Sequence, residues 1–153
     1  MKRIPSVALI LVVLALALAA APLLASESYK IDSDHTYVLF KVKHLKVGNS
    51  YGRFNGPTGT FSWDDANPAN SNFEVTVPAA NVDTDNDKRD KHLRSADFFN
   101  VGQYAAITFK STAIKKVGDD TYKVSGNLTL LGQTFPITVT AVQTGHGKDP
   151  WNQ

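Results

Sequence analysis

Alternation between apolar and polar residues constrains this chain more than any other feature of its sequence. In residues 36–47, one face carries Val38, Phe40, Val42 and His44. A period of two places successive side chains on opposite faces of a β-strand, so this segment predicts a strand with one buried face. Six more segments alternate in the same way, namely 28–32, 51–63, 72–78, 105–116, 121–131 and 135–141. The sequence therefore predicts seven strands in total.

Turn signals between these segments favour hairpins. Residues 118–120 (GDD) predict a three-residue loop, and residues 132–133 (GQ) have glycine first, as a type II′ turn requires. The pair at 56–57 (GP) interrupts segment 51–63, which indicates a bulge or a sharp bend. The fold class is therefore all-β and antiparallel, in one domain. Periodicity alone does not choose between a barrel and a sandwich.

Residues 82–100 form the one segment after residue 26 that predicts a helix. Thr84 followed by Asp87 resembles a capping box, with aspartate in place of the usual Glu or Gln. Asp87–Lys91 and Asp90–Arg94 are acid-before-base pairs at i,i+4, which predicts that these four side chains share a solvated face.

The end of the same segment is apolar. Leu93, Phe98 and Phe99 need an apolar surface to cover. We therefore expect a short helix that caps one end of a barrel and places these side chains in its mouth.

A calcium loop is the rival interpretation of this segment, because aspartates alternate through residues 83–87. Lys88 stands where that loop requires glycine, and Arg94 stands where it requires a bidentate glutamate. The four histidines of the chain show no short-range spacing typical of metal ligands. We expect no metal site.

The first 25 residues are typical of an export signal. Lys2 and Arg3 precede an apolar run over 7–21, and Ala25-Ser26 is a plausible cleavage point. The alternative is an uncleaved membrane anchor, but the run is short for a span and Pro22 follows it. We expect cleavage, export and no membrane span in the remaining chain.

Charge and composition exclude several functions. Signal removal takes away two of the 16 Lys and Arg and none of the 14 Asp and Glu, so the remaining chain is formally neutral. The sequence contains no basic patch with interleaved aromatics, so we expect no nucleic-acid binding. The absence of cysteine excludes disulfides, a thiol nucleophile and a lipid-modified N-terminal cysteine. The sequence contains no serine-hydrolase elbow, zinc-protease helix or phosphate loop, so we expect no enzyme.

Several motifs, spread over nearly all of the chain after residue 26, resemble those of the YceI-like family. They are YKID (29–32), DHT (34–36), VLFKVKH (38–44), GRF (52–54), GTF (59–61), VDT (82–84), RDKHLRSADFF (89–99), ITFKST (107–112), VSGNLT (124–129) and PI (136–137).

This resemblance implies a lipocalin-like antiparallel β-barrel with a short capping helix, exported to the periplasm. It also implies that the bore holds a polyisoprenoid or similar long-chain lipid, quinone-type lipids included, with no catalytic residue. Such a bore must be apolar and unfilled, because a polyprenyl chain offers no polar atom to recognise. Small residues at Gly52, Gly126 and Ala141 are expected to keep it open. The residues expected to bind the lipid are Phe40, His44, Phe54, Val75, Leu93, Phe98, Phe99, Ile107, Phe109, Leu128, Ile137 and Val139.

Alternatives remain for two features, the completeness of the domain at its C-terminus and the empty interior of the barrel. Family members usually continue past residues 145–151 into at least one more strand pair, so the domain 26–153 is expected to be C-terminally incomplete. A partner, as in a homodimer, is the other way to cover the two strand edges that seven strands leave unpaired. If the inward side chains instead fill the interior, the chain is a secreted β-barrel module that binds proteins through its loops.

Overall fold

The computed structural model of the chain describes residues 26–148, which hold nine β-strands, one α-helix and two single 3-10 turns. The expected signal peptide, residues 1–25, lies outside the described residues. The 3-10 turns are Pro68–Asn70 and Ala79–Asn81. The longer elements are β1 (Glu27–Lys30), β2 (Tyr37–His44), β3 (Gly48–Asn55), β4 (Thr58–Trp63), β5 (Asn72–Pro78), β6 (Val82–Asp83), α1 (Asp87–Arg94), β7 (Ala106–Lys116), β8 (Thr121–Leu130) and β9 (Gln133–Val142).

All strand pairs are antiparallel, which confirms the predicted fold class. A six-stranded sheet has the order β1-β4-β5-β7-β8-β9, and a three-stranded sheet has the order β2-β3-β6. The chain passes from one sheet to the other four times, between β1 and β2, β3 and β4, β5 and β6, and β6 and β7. Only Gly56 and Pro57 separate β3 from β4, so these two form one bent strand, and the two sheets form one curled surface. The edges of the six-stranded sheet are β1 and β9.

The bend between β3 and β4 lies at the predicted Gly-Pro pair. Gly56 has φ +66° and Gly59 has φ +148°, values that favour glycine. A Cβ on Gly59 would collide with the carbonyl oxygen of Glu74, so β4 and β5 approach closely here. Pro57, between these glycines, is almost completely buried. The strand count exceeds the predicted seven because this bend divides one segment and because β6 is a strand of two residues.

The start of α1 differs from the predicted capping box. The helix begins at Asp87, and its N-cap is Asn86, whose side-chain oxygen accepts from the backbone N–H of Arg89 at 2.9 Å. Thr84 lies outside the helix, and its backbone N–H donates to the Asp90 carboxylate at 3.0 Å. A Thr84 cap would instead serve the backbone N–H of Asp87, but Asp85 has φ +60°, which is not helical, so the helix starts after Asn86.

The expected surface pair between Asp90 and Arg94 is also wrong. Asp90 is 5% exposed and accepts both the backbone N–H and the hydroxyl of Thr84. Arg94 turns away from it and donates to the carbonyl oxygens of Ala80 and Val82, at 2.7 and 2.8 Å. Both side chains thus fasten the helix to the segment around β6, because backbone groups there need partners that the short strand does not supply.

The β8–β9 hairpin has a different turn from the predicted one. Leu130 pairs with Gln133, so the two loop residues are Leu131 and Gly132, with φ +51° and +71°. Positive φ at both positions is what a type I′ turn requires, whereas type II′ requires it only at the first. Leucine is unfavourable at this first position because its Cβ crowds the following carbonyl.

We expect Leu131→Asn to stabilise the protein by about 0.5–1 kcal/mol, because asparagine tolerates the left-handed conformation that leucine resists. The melting temperature should rise by roughly 3–6 °C in calorimetry. Leu131→Ala is the control: it removes the same side chain but keeps a strained residue, so it should not stabilise. Equal stabilisation by both substitutions would contradict the assignment.

Candidate functional site

The concave face of the curled sheet is the candidate site, and it has two ends that differ in packing. Near α1, Phe54, Val77 and Val82 are buried. We call them, with the half-buried residues packed on them, the helix-end cluster. The half-buried members are Phe40, Val75, Leu93, Phe99 and Ile107.

Six of the twelve predicted lipid-binding residues meet in the helix-end cluster, and they contact one another. The ring of Phe54 lies 5.5 Å from that of Phe40 and 5.2 Å from that of Phe99, between centroids. Leu93 and Phe99 therefore bring the end of α1 onto the sheet, as the sequence predicted. At this end the rings fill the interior by packing against each other.

The other six predicted residues are dispersed. Phe109 packs on a second cluster, described below, while Leu128 and Ile137 are half-buried on β8 and β9. Val139 is 43% exposed on β9, and His44 is exposed at the end of β2. Phe98 is 47% exposed and makes an edge contact with His92 at 4.9 Å between ring centroids. Phe98 thus lies on the outer surface of the α1 segment, and Phe99 alone of the pair turns inward.

The expectation that Gly52 and Gly126 leave open volume is wrong. A Cβ on Gly52 would collide with the ring of Phe40, and one on Gly126 would lie 2.5 Å from both the ring of Phe109 and the Lys110 carbonyl oxygen. Each glycine creates space that an aromatic ring from the neighbouring strand then occupies. Ala141 does line an open space, at the end of the sheet away from α1.

That space, which we call the distal pocket, has a volume of about 400 Å³. It lies over a second buried cluster, Ile114, Tyr122 and Val124. Its walls come from β1, β4, β5, β8 and β9, and its mouth is partly covered by the tail that follows β9. The main wall residues are Tyr29, Phe61, Trp63, Phe73, Tyr122 and Ala141.

The walls of the distal pocket are a run of aromatic rings. Phe61 stacks on Tyr29 at 4.8 Å and on Phe73 at 5.2 Å, with interplanar angles of 11° and 18°. Trp63 meets Tyr122 edge to face at 4.8 Å. Ring pairs of this kind are each worth roughly 0.5–1.5 kcal/mol beyond area burial, so the rings hold the walls in position.

The rim of the pocket is polar. The Tyr29 hydroxyl donates to the Glu27 carboxylate, and its oxygen lies 2.8 Å from His146 Nε2. Because the hydroxyl proton is used on Glu27, the imidazole Nε2 must be the donor in the second bond. Trp63 Nε1 donates to Asp65 at 2.6 Å. His146 thus lines the pocket, and two carboxylates lie beside it through their bonds to the wall residues Tyr29 and Trp63.

The tail after β9 connects the two edges of the curled sheet. The backbone N–H of Gln143 donates to the Asp120 carbonyl at 2.9 Å, which fixes its start beside β8. Three residues later His146 reaches Tyr29 and lies 3.5 Å from Glu27, both on β1. This segment, 143–147, therefore crosses the gap between β9 and β1 above the distal pocket.

A family model described as the YceI-like domain matches residues 29–149. The chain belongs to the YceI-like family.

Its relatives share much of their length with it. A UPF0312 protein of Pseudomonas paraeruginosa is 45% identical over 143 residues, covering 90% of this chain and 74% of the relative. Protein YceI of Escherichia coli O157:H7 is 46% identical over 125 residues, covering 80% of this chain and 65% of that protein. The crystal structure of a Campylobacter jejuni YCEI protein superposes with a TM-score of 0.63 at 34% identity, covering 81% of this chain and 72% of that chain. Family membership and the lipocalin-like fold are thereby confirmed.

Residues 26–148 of this YceI-like chain lack two features, a metal-binding group and a membrane-spanning helix. This range contains no group of three or more His, Cys, Asp or Glu placed to hold a metal ion. It also contains no helix of the length and apolar character needed to cross a membrane.

Sequence reasoning missed the distal pocket. The signal available was the alternation of bulky aromatics on the inward positions of β4 and β5, where Phe61, Trp63 and Phe73 share one face. Tyr122 holds the equivalent inward position on β8. His146 gave no signal, because its hydrogen-bond partner Tyr29 lies 117 residues away in sequence.

We expect Gly126→Ala to destabilise this YceI-like protein by about 1–3 kcal/mol, because the added methyl group must displace the Phe109 ring and a carbonyl. Urea denaturation measures the change. Gly102→Ala is the matched control, since a Cβ there meets no atom within 4 Å. Near-equal stabilities of the two variants would show that Phe109 does not occupy the space over Gly126.

The hydrogen bond between Tyr29 and Glu27 should be detectable in the alkaline titration of Tyr29. The hydrogen bond to Glu27, with smaller contributions from desolvation and the Glu27 and Asp65 charges, raises the pKa of the Tyr29 phenol to about 12. Because the folded pKa is raised, the stabilisation is present below about pH 10, the unfolded value, and is lost as pH rises through the folded value. In Glu27→Gln the pKa should fall toward about 10. Carbon-13 NMR of labelled tyrosine measures it, and an unchanged pKa would contradict the hydrogen bond.

Proposed function

We propose that this chain binds a polyisoprenoid or similar long-chain lipid in its periplasmic form, with the distal pocket holding part of the lipid. The observation that carries the proposal is an aromatic-walled pocket of about 400 Å³ on the concave face of the sheet. Ligand pockets are generally 300–1,000 Å³ and mostly apolar, so this one has the size and lining of a binding site. Membership of the YceI-like family supports the same ligand class.

The pocket is too small to enclose a lipid of several isoprene units, so the rest of the chain must lie elsewhere. Apolar side chains on the same concave face remain accessible near the two sheet edges, among them Val38 at 38%, Phe135 at 46% and Val139 at 43% exposure. Each methylene group removed from water contributes about 0.8 kcal/mol. A lipid that runs from the distal pocket along these residues would also cover protein surface that water now contacts.

The packing of the helix-end cluster limits how far a bound lipid can extend along the concave face. Phe40, Phe54 and Phe99 contact one another beneath α1, so a chain that entered this region would have to displace their rings. We infer that the lipid lies between the open sheet edges and the distal pocket rather than along the whole bore. The lipid-binding roles predicted for the helix-end cluster would then be indirect, through support of the concave face.

Native mass spectrometry of protein purified from its natural periplasm tests the proposal. A co-purifying long-chain lipid is the expected result. Protein that carries none, and that takes up none from isoprenoid-containing vesicles, would favour the alternative of an interaction module whose function lies on its loops.

We expect Ala141→Trp to reduce uptake of a polyprenyl alcohol at least tenfold, because an indole at this wall position occupies much of the distal pocket. Thr140→Trp is the matched control: it adds the same ring one residue away, on the opposite face, where Thr140 bonds Lys123. Uptake is measured by quenching of tryptophan fluorescence in vesicle titrations. Equal losses of lipid uptake in both variants would show that the lipid does not occupy the distal pocket.

A further inference from the structure

The carboxylates at the rim of the distal pocket are held in place by the aromatic walls themselves. Glu27 accepts from the hydroxyl of Tyr29, and Asp65 accepts from the indole N–H of Trp63. The two side chains are 67% and 62% exposed. An ionised carboxylate accepts about four hydrogen bonds, so each group retains acceptor capacity at the mouth after binding its ring. The rim is therefore a positioned pair of negative charges.

The floor beneath these charges also attracts cations. Aromatic faces carry negative potential, and a cation within about 6 Å of a ring centroid is stabilised by it. Lys116 already uses one such face, with its Nζ 5.9 Å from the centroid of Tyr122. The rings of Tyr29, Phe61 and Trp63 offer further faces and edges to the open part of the pocket.

The charges of His146 and Lys116 do not outweigh the negative charges of Glu27 and Asp65. His146 lies 3.5 Å from Glu27 and 3.7 Å from Asp65, and as a neutral imidazole it leaves both carboxylates uncompensated. Lys116 lies against Tyr122 on β8, whereas Glu27 and Asp65 bond to Tyr29 and Trp63. When His146 is neutral, the two carboxylates therefore outnumber the Lys116 ammonium.

We propose that the rim of the distal pocket binds the ammonium head group of a cationic amphiphile, a primary amine or a trimethylammonium, whose alkyl chain covers the aromatic floor. The inference rests on the proposed lipid-binding function and names the head group that the same site prefers. An anionic head group, such as a phosphate or carboxylate, would meet Glu27 and Asp65 with like charge and is disfavoured there.

Three ten-carbon probes test the head group with the chain held constant: decyltrimethylammonium, decanol and decanoate, each below its micelle concentration. Isothermal titration calorimetry at low salt and pH 8 should show decyltrimethylammonium binding about tenfold more tightly than decanoate, equivalent to ~1.4 kcal/mol. Decanol should fall between them. The preference should shrink as ionic strength rises, because the carboxylates are exposed.

The double variant Glu27→Gln/Asp65→Asn should abolish this preference, since it removes both charges while leaving oxygen acceptors for Tyr29 and Trp63. Glu74→Gln is the matched control, because Glu74 pairs with Lys110 on the outer face of the sheet at 3.6 Å. It should keep the preference.

Equal affinities for the three probes would overturn the ammonium site and leave lipid binding intact. A preference that survives in the double variant would overturn it as well, since its source would lie elsewhere. Failure of all three probes to bind, with the fold verified by circular dichroism, would overturn both the ammonium site and the proposed lipid-binding function.

Discussion

The bend between β3 and β4 is the constraint on which the rest of the structure depends. Gly56 and Gly59 adopt backbone conformations that other residues resist, and Gly59 lets β4 approach the backbone of β5. One strand can then belong to two sheets, and the sheets become one curled surface. Because side chains alternate between faces, the inward residues of β3 and β4 converge on the same concave side. The helix-end cluster and the distal pocket are the two ends of that side.

These ends differ because different chain segments close them. At one end α1 delivers Leu93 and Phe99 onto the rings of the sheet, and Asp90 and Arg94 secure the helix to backbone groups around β6. At the other end, in the described part of the chain, the tail 143–147 crosses the gap through His146. A helix presents several side chains to the interior at once, whereas an extended tail presents few. The first end is therefore filled and the second retains a pocket.

Much of the architecture was readable from local patterns. Period-two alternation identified the strands, the Gly-Pro pair identified the bend, and the aromatics after α1 identified a covered end. The errors were also local in origin. Thr84 and Asn86 are both good caps, but Asp85 has φ +60°, which prevents a helix from starting directly after Thr84. Leu131 lies in the turn because Leu130 pairs with Gln133. Asp90 was assigned to a solvated face because charge alone does not reveal that Thr84 lies above it.

The sequence by itself determined which side chains turn inward, because alternation is a property of each strand separately. It also determined the antiparallel class and the family, whose motifs are spread over residues 29–137. Only the tertiary structure decided which inward side chains touch and which surround a space. That depends on pairs such as Tyr29 and His146, 117 residues apart, whose proximity is set by the curvature of the whole sheet rather than by any local pattern.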